Sequence, residues 1–370
     1  MYFKQVKLEN FRNYKDQTVE FDKKLNLLLG QNAQGKTNLL ESLFIMSLGR
    51  SFRTNRDQEM IAFGAEASKV SCIVGDDEDD SENTEISIIY RPEGKIIKVD
   101  GVKLQRSIDL LENVYIVVFS PDDLKIIKEG PDNRRRFLDR ELCQIKPVYY
   151  SDLGNYKKVL RQRNMLLRDK NSDRNLLAVF DEALADYGIR IADERHDFAA
   201  RLQTISRDIH SKISEGKEFL EIQYETSIKK KDGESSADRK EEYKKKLSES
   251  FERDFIRGYT GFGPHKDDLA ILVNGTDIRS YGSQGQQRTA ALSMKLAEIG
   301  LIKQETGKNA VLLLDDVLSE LDKNRQRFLI ESMKDVQVFI STTSIEEEVM
   351  RLLPPGNKYE ISAGSVKLLT

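Results

Sequence analysis

The residues with the clearest chemical pattern form a short glycine-bearing loop near the start of the chain. They fit the pattern GxxxxGK[ST] and are Gly30, Gln31, Asn32, Ala33, Gln34, Gly35, Lys36 and Thr37. In loops of this type the backbone N–H groups face phosphate oxygens, the lysine reaches the β- and γ-phosphates, and the threonine hydroxyl binds Mg²⁺. The sequence therefore predicts a nucleoside triphosphate site in which Lys36 is catalytic and Thr37 is a metal ligand.

A pair of carboxylates follows an apolar strand in the last quarter of the chain. Val311–Leu314 is entirely apolar and is followed by Asp315 and Asp316. The carboxyl end of a parallel strand is the edge at which such sheets bind ligands. We expect Asp315 to hold Mg²⁺, directly or through water, and Asp316 to act as a base or to position water, so both are predicted catalytic residues.

Two further segments indicate the kind of phosphate-binding protein. Residues 281–288 (YGSQGQQR) precede a predicted helix over Thr289–Ile302, and residues 319–322 (SELD) follow the acidic strand. In this order they resemble the ABC-type ATPase family. The resemblance implies an ATP-dependent homodimer in which the signature loop of one subunit closes over the γ-phosphate bound by the other. It assigns Ser283, Gln284, Gly285 and Gln286 to the signature, and Ser319 and Asp322 to the D-loop.

The elements that must position these residues follow a split α/β pattern. Strands are predicted around Val6 and at Leu25–Leu29, and a helix over Asn38–Leu48. Short strands continue to Phe119, the apolar period then changes to that of long charged helices, and strands return at Leu269. We predict an α/β ABC-type ATPase head with a mixed sheet, built from residues 1–119 and 269–370. A mainly helical second lobe, residues 120–268, is inserted between these parts, without a long coiled coil.

Composition excludes several other classes. The chain has 370 residues, a net charge of −3, two Cys and three His, so a disulfide framework and a multi-histidine metal site are excluded. No apolar run reaches the roughly 18–20 residues that span a bilayer. The start of the chain alternates like a strand and does not resemble a signal peptide. We therefore expect a cytoplasmic protein with no membrane partner, and a solvated loop in the acidic segment from Asp76 to Glu85.

Six sequence blocks, in order, resemble the RecF family of bacterial recombination mediators, which is related to SMC-type and Rad-type ATPases but lacks their long coiled coil. The matching blocks are residues 10–14 (NFRNY), the phosphate loop with Gln31 and Asn32, and residues 48–54, 119–124, 130–139 and 263–269.

This resemblance implies a role in DNA repair, replication-fork recovery and the SOS response. The implied partners are double-stranded and gapped DNA, together with RecR and RecO, which assist RecA loading. The implied reaction is slow, DNA-stimulated ATP hydrolysis that acts as a switch. By position, Arg12 would approach the nucleotide, and Arg53 falls where SMC relatives carry a DNA-sensing arginine.

Three departures from the ATPase pattern predict slow turnover. The glutamine that other family ATPases place between their lobes is replaced by Ser120 or Pro121, and the switch histidine after a predicted strand over Val336–Ile340 is replaced by Thr342. The usual glutamate of the acidic strand is Asp316, one methylene shorter. Because general-base geometry is demanding, ATP binding is expected to survive these changes better than rapid hydrolysis.

A candidate DNA surface comes from charge distribution. The segment from Gly130 to Asn175 contains twelve Lys or Arg and six Asp or Glu. On the helix that includes Tyr156, Lys157, Arg161 and Arg168 share one face, and Val159, Leu160, Leu166 and Leu167 are predicted to form the opposite, core-facing stripe. An ordinary solvated helix face remains the alternative. We interpret His265, which stands beside Lys266, as structural.

Two other functions share parts of this pattern. The ATPase subunit of a membrane transporter would have the same phosphate loop and acidic strand, but its signature is typically Leu-Ser-Gly-Gly-Gln, and it has no use for a basic helical insertion. A GTPase needs an Asn-Lys-x-Asp base reader, which the sequence lacks, and a small-molecule kinase has no use for the Ser283 segment.

Overall fold

The structure of the protein is a computed structural model that describes residues 1–76, 82–169, 174–229 and 234–369. The acidic segment expected to form a loop lies partly outside the described residues. Among the described residues, no helix is both long enough and apolar enough to cross a membrane.

Strands dominate the two ends of the chain. In chain order the strands of the described residues are β1 (Tyr2–Phe11), β2 (Tyr14–Glu20), β3 (Leu25–Leu29), β4 (Ser68–Gly75), β5 (Asn83–Arg91), β6 (Gly94–Val99), β7 (Val102–Lys103), β8 (Ile116–Phe119), β9 (Leu220–Glu225), β10 (Asp268–Val273), β11 (Thr276–Asp277), β12 (Val311–Asp315), β13 (Val338–Thr342), β14 (Asn357–Ser362) and β15 (Ser365–Leu369).

Helices dominate the middle of the chain. The α-helices of the described residues are α1 (Lys36–Leu48), α2 (Leu124–Lys128), α3 (Pro131–Ile145), α4 (Pro147–Arg168), α5 (Arg174–Ile213), α6 (Ser236–Glu249), α7 (Phe251–Arg257), α8 (Ile278–Tyr281), α9 (Gln284–Thr306), α10 (Lys323–Glu331) and α11 (Glu347–Leu352).

The chain divides into two compact units. The first contains residues 1–124, 209–217 and 288–370, and the second contains residues 125–208 and 218–287. The sequence places the inserted lobe at 120–268, whereas β10 and β11 belong to the second unit. The reason is strand pairing: β10 pairs with β9 along its whole length, from Asp268 opposite Glu225 to Val273 opposite Leu220. Such a partner, more than forty residues earlier, is not visible in local periodicity.

The first unit contains two six-stranded sheets. One has the order β2-β1-β4-β5-β6-β7 and is antiparallel throughout. Its predicted hairpin turn is present, because Asp100 and Gly101 both have positive φ between β6 and β7. The other sheet has the order β15-β14-β3-β13-β12-β8, in which every pair except β14–β15 is parallel.

The parallel sheet forms the core on which the site is built. Its central strands are buried on both faces, as their mostly apolar sequences predict. The register aligns Leu28 with Ser341, and Ser341 with Asp315, across three neighbouring strands. The carboxyl ends of β3, β13 and β12 therefore lie at one edge of the sheet. This is the α/β ABC-type head expected from the sequence.

The second unit is mainly helical and contains the three-stranded sheet β11-β10-β9. Its longest helical segment is residues 174–208 of α5, a helix that begins at Arg174 and continues to Ile213. Several arginines of this unit are buried and paired with carboxylates. Arg163 is fully buried and donates to Asp181 and Asp254. A buried charge is tolerated when it is paired and hydrogen-bonded in this way.

Candidate nucleotide site

The predicted phosphate loop connects β3 to α1 at the edge of the parallel sheet. The Nζ of Lys36 donates hydrogen bonds to the carbonyl oxygens of Gly30 at 2.6 Å and Gln31 at 3.0 Å. The loop is thus folded around its own lysine. Gly35 has φ of +124°, and a Cβ there would lie 2.8 Å from the side-chain nitrogen of Asn13. Only glycine fits this position without strain.

Two residues that the sequence did not single out hold the loop from outside. The Tyr14 hydroxyl donates to the Gly35 carbonyl at 3.0 Å, and burial raises the pKa of this tyrosine, so it stays a donor. The Asn13 amide donates to the Gln34 carbonyl at 2.9 Å and accepts from Asn38 at 2.8 Å. Their only sequence signal is membership of the 10–14 block, since the contacts depend on β1 and β2 pairing beside the loop.

The acidic strand meets the phosphate loop through a direct hydrogen bond. The Thr37 hydroxyl lies 3.0 Å from Oδ1 of Asp315, and the same oxygen accepts from the Ser341 hydroxyl at 2.6 Å. The backbone of Asp316 is fixed as well, because its N–H donates to the Ser341 carbonyl at 3.1 Å. Asp316 has φ of +56°, in the left-handed region. Ser341 is a site residue that only the strand register reveals.

These groups line an open cavity of about 370 Å³. Burial lowers the pKa of Lys36, and the neighbouring Asp316 and Asp315 act in the opposite direction. A lysine amine, a hydroxyl and carboxylates around one cavity suit a polyphosphate with its divalent cation. The lining residues are Asn32, Ala33, Gly35, Lys36, Thr37, Asn38, Arg53, Asp315 and Asp316.

The two predicted arginines meet at one buried carboxylate. Arg12 binds Glu41 of α1 with Nε and Nη2 at 2.9 and 2.8 Å, and Glu41 is fully buried. Arg53 lies 3.4 Å from Glu41 and donates to Asn38 at 2.7 Å. Arg53, which we expected at DNA, therefore lies in the nucleotide cavity, whereas Arg12 is held by Glu41 outside its lining. Glu41 itself had no predicted role.

The signature segment is a capped helix start. The backbone N–H of Gln286 donates to the Ser283 hydroxyl at 3.2 Å, and the Ser283 N–H donates to Gln286 Oε1 at 3.0 Å. This reciprocal arrangement is a capping box. Helix α9 therefore begins at Gln284, five residues before the predicted start at Thr289. Gln284, Gly285 and Gln286 form its first turn, and Ser283 and Gln284 are exposed.

The D-loop residues lie next to the acidic strand. The Ser319 hydroxyl donates to the Asp316 carbonyl at 2.9 Å. Asp322 caps α10 by accepting from the backbone N–H of Arg325 at 3.0 Å. Arg288 of α9 donates to the Glu320 carbonyl at 2.8 Å.

The residues that replace the usual glutamine and histidine have structural partners. The Ser120 N–H donates to Asp123 at 2.7 Å, at the start of the turn Pro121–Asp123. Thr342 is the last residue of β13, which begins and ends two residues later than predicted. Its side chain is buried and donates to the Ser344 carbonyl at 2.6 Å. Neither Ser120 nor Thr342 belongs to the described cavity lining.

The predicted basic face is on α4 of the second unit. Lys157, Arg161 and Arg168 are all exposed; Lys157 lies 3.3 Å from Asp139, and Arg168 donates to the Gly258 carbonyl at 3.1 Å. The predicted core stripe is only partly correct. Of its four members Leu167 is buried and the other three are half-buried, because the buried face instead follows Tyr149, Asp152, Leu153, Tyr156, Arg163 and Leu167.

His265 has a structural environment. Its Nε2 lies 2.8 Å from the Thr260 carbonyl and must donate to it, so Nδ1 accepts from the Tyr156 hydroxyl at 2.7 Å. Burial lowers the pKa of His265 to about 4, with Lys266, Arg135 and Arg195 acting in the same direction. The imidazole is therefore neutral at pH 7 and acts as a bridge between α4 and its own loop.

Comparisons of sequence agree with this geometry. A family model described as the RecF/RecN/SMC N terminal domain matches residues 2–353. A DNA replication and repair protein RecF from Acetivibrio thermocellus is 44% identical over 350 residues, which cover 94% of each chain. The protein of the same name from Streptococcus gordonii is 43% identical over 370 residues, which cover 99% of this chain and 100% of the relative.

Solved structures give the same result. A recombination mediator protein RecF with ATP, described as acting in the RecFOR pathway, superposes with a TM-score of 0.91 at 39% identity, covering 100% of this chain and 98% of the other. An Smc head domain with an extended coiled coil from Pyrococcus furiosus gives a TM-score of 0.56 at 16% identity, covering 100% of this chain and 96% of the other; this similarity concerns the fold alone.

Proposed function

The chain belongs to the RecF family, and from that premise we propose that it is an ATP-dependent DNA-binding switch of DNA replication and recombinational repair. The observation that carries this proposal is the 3.0 Å contact between Thr37 and Asp315. It joins the phosphate loop to the acidic strand beside a cavity large enough for a triphosphate. Relatives named DNA replication and repair protein RecF support the role in repair.

ATP binding is the first step of the proposed switch. Lys36 would leave the carbonyls of Gly30 and Gln31 and reach the β- and γ-phosphates, while loop N–H groups receive phosphate oxygens. Thr37 and Asp315 suit Mg²⁺, which usually takes one or two protein oxygens and completes its shell with phosphates and water. Once bound, the metal would neutralise charge on the β- and γ-phosphates. Ser341 would orient Asp315 through its 2.6 Å hydrogen bond.

Dimerisation is the second step, and it uses the capped start of α9. The exposed Ser283 and the first turn of α9 present a hydroxyl and backbone N–H groups at a helix N-terminus, where anions bind. We infer that this turn closes over the γ-phosphate of a second copy. The nucleotide would then be the link between two subunits, so dimers would form only with ATP.

Hydrolysis is proposed to be slow and to release the dimer. Asp316 would orient the attacking water, but its side chain is one methylene shorter than a glutamate and its backbone is held by Ser341. A base that reaches its water poorly loses much of its 10²–10⁴-fold catalytic contribution. DNA would stimulate this weak ATPase activity without making the protein a motor.

The proposed DNA partners are double-stranded and gapped duplexes, and the proposed protein partner is RecR, with RecO and RecA in the same pathway. The solved RecF structures are described as belonging to the RecFOR pathway, which supports this assignment. Lys157, Arg161 and Arg168 form the proposed phosphate-contacting face, although the chain as a whole is slightly acidic. Local charge matters more than net charge for such contacts.

Sedimentation velocity with and without nucleotide tests the switch. We expect a monomer without nucleotide or with ADP and Mg²⁺, and a dimer with ATP and Mg²⁺, together with phosphate release that increases when duplex DNA is added. An ATP-independent oligomeric state would contradict the proposal.

A further inference from the structure

The loop of residues 258–268 in the second unit is fixed by buried arginines. Arg163 donates to the Thr260 hydroxyl at 2.9 Å, and Arg195 donates to the Pro264 carbonyl at 2.7 Å. Arg134 binds both carboxylate oxygens of Asp268, at 2.6 and 2.8 Å. All three arginines are 4% exposed or less. A binding site requires supporting residues that hold its backbone and side chains in fixed positions, as these arginines hold the loop.

The backbone of this loop is also sterically fixed. Gly263 has φ of +123°, and a Cβ there would lie 2.3 Å from the Tyr243 hydroxyl and 2.5 Å from the Tyr156 hydroxyl. The Gly261 N–H donates to the buried Asp254 at 3.0 Å. The loop therefore has little freedom to rearrange, and the side chains it exposes have defined positions.

Only three residues of the 258–268 loop are exposed, namely Tyr259, Gly261 and Lys266. The Lys266 ammonium lies 4.9 Å from the centre of the Tyr259 ring, a cation–π contact. An aromatic ring and a cation are thus held together on the surface. Proteins that bind single-stranded nucleic acids combine these two groups, because a base stacks on the ring while a cation meets the backbone.

The same loop runs antiparallel along α4. Its start contacts Arg168 through the Gly258 carbonyl, and Thr260 donates to the Asn164 side chain through its N–H at 2.8 Å. Its far end contacts Tyr156 through His265. Between Arg168 and Lys157 the helix rises about 16 Å. Tyr259, which follows Gly258 in the chain, therefore lies near the Arg168 end of a strip of cations of a length that several phosphates could follow.

We propose that Tyr259 and Lys266 bind an unpaired nucleotide of a gapped or junction DNA, with the ring stacked on its base and the ammonium at its phosphate. This inference rests on the DNA binding proposed above and adds the part of the DNA that the second unit recognises. The adjoining phosphate backbone of the DNA is then contacted by Lys157, Arg161 and Arg168, whether its bases are paired or unpaired. Tyr259 is thus a specificity-determining residue for unpaired DNA.

The test compares a gapped duplex, carrying 2-aminopurine in the gap, with a fully paired duplex of the same length, using the whole chain with ATP and Mg²⁺. Tyr259→Ala should weaken binding to the gapped duplex by about 5- to 150-fold, the range expected for one lost stack. Affinity for the paired duplex should change less than about 2-fold. Tyr259→Phe retains the ring and should keep both the affinity and the quenching of 2-aminopurine.

Tyr187→Ala is the matched control, since Tyr187 also has a cation over its ring, Arg190 at 5.0 Å, on α5. It should leave both affinities unchanged. If the wild-type chain binds neither DNA, the proposed function fails. If the wild-type chain prefers the gapped duplex and Tyr259→Ala keeps that preference and the quenching, the proposal for Tyr259 alone is overturned.

Discussion

The hydroxyl of Thr37 donates a hydrogen bond to the carboxylate of Asp315 at 3.0 Å across a separation of 278 residues. The contact exists because β13 lies between β3 and β12 and is parallel to both. The carboxyl ends of β3 and β12 therefore lie at the same edge of the sheet. Two oxygens are therefore held together where the proposed function requires a divalent cation. The cavity beside them joins this pair to Lys36.

Lys36→Ala should abolish ATP-induced dimerisation. The substitution removes the only cation expected at the β- and γ-phosphates from within the phosphate loop, so the nucleotide would no longer be held for a second subunit. Sedimentation velocity at saturating ATP measures the effect, and Lys334→Ala, an exposed lysine outside the cavity lining, is the control. A dimer that persists in Lys36→Ala would contradict the site assignment.

Ser283→Arg should separate nucleotide binding from pairing. The hydroxyl lost from the start of α9 is proposed to act on the partner's nucleotide, and a guanidinium there would obstruct the approach of the second subunit. We expect unchanged affinity of the monomer for a fluorescent ATP analogue and no dimer at saturating ATP. Reduced nucleotide affinity in the monomer would show that Ser283 acts within its own subunit.

Ser341→Ala should raise the Mg²⁺ concentration that nucleotide binding requires. Its hydroxyl donates to Asp315 at 2.6 Å, and loss of such an orienting partner typically lowers metal affinity by about 10- to 100-fold. Titration of Mg²⁺ at fixed ATP measures the shift. Ser332→Ala, at an exposed serine of the chain, should leave the titration unchanged. Equal midpoints for Ser341→Ala and wild type would exclude Ser341 from this role.

Alanine at Lys157, Arg161 and Arg168 together should reduce the salt dependence of DNA binding. Each phosphate contact contributes about 0.9 to the slope of log affinity against log salt, so the triple variant should lose up to about 3. Lys157 should contribute least, because it already lies 3.3 Å from Asp139. Alanine at Lys244, Lys245 and Lys246 removes the same charge from α6 and should leave the slope unchanged. If the two triple variants had the same slope of log affinity against log salt, the DNA would not contact this face of α4.

Acid should destabilise the protein partly through His265. Its pKa is lowered to about 4 in the fold from 6.5, so the unfolded chain binds more protons between these values. Stability contributed by the neutral ring is therefore present above pH 6.5 and is lost as pH falls towards 4, by roughly 3 kcal/mol at most. His265→Gln keeps a donor for Thr260. In this variant the midpoint of urea unfolding should change less between pH 6.5 and pH 4 than it does in the wild type. An unchanged pH dependence would contradict this assignment.

The parts of the site that the sequence predicts are those whose chemistry lies in contiguous residues. The phosphate loop, Asp315 and Asp316 are such segments, and the structure brings them together. Ser341, Asn13 and Glu41 could not be predicted, because their roles arise from strand register and from the contacts of the turn between β1 and β2 with α1. Arg53 reaches the cavity because the chain after α1 folds back onto Asn38 and Glu41 of that helix.

The fold shows the same division. Strands with mostly apolar sequences, such as β3 and β12, are where the sequence predicts them. The hairpin β14–β15 was not predicted, since its turn at Ala363 and Gly364 lacks the usual Asn-Gly or Asp-Gly signal, although both residues have positive φ. The assignment of β10 to the second unit depends on its pairing with the distant strand β9, which no local sequence pattern specifies.

The central claim is that ATP controls DNA binding. Its most direct test is the affinity for a fluorescent gapped duplex with ATP, with ADP and without nucleotide, each at two salt concentrations. The account predicts tight, salt-sensitive binding with ATP alone. Binding that is absent, or equal in all three nucleotide states, would contradict it.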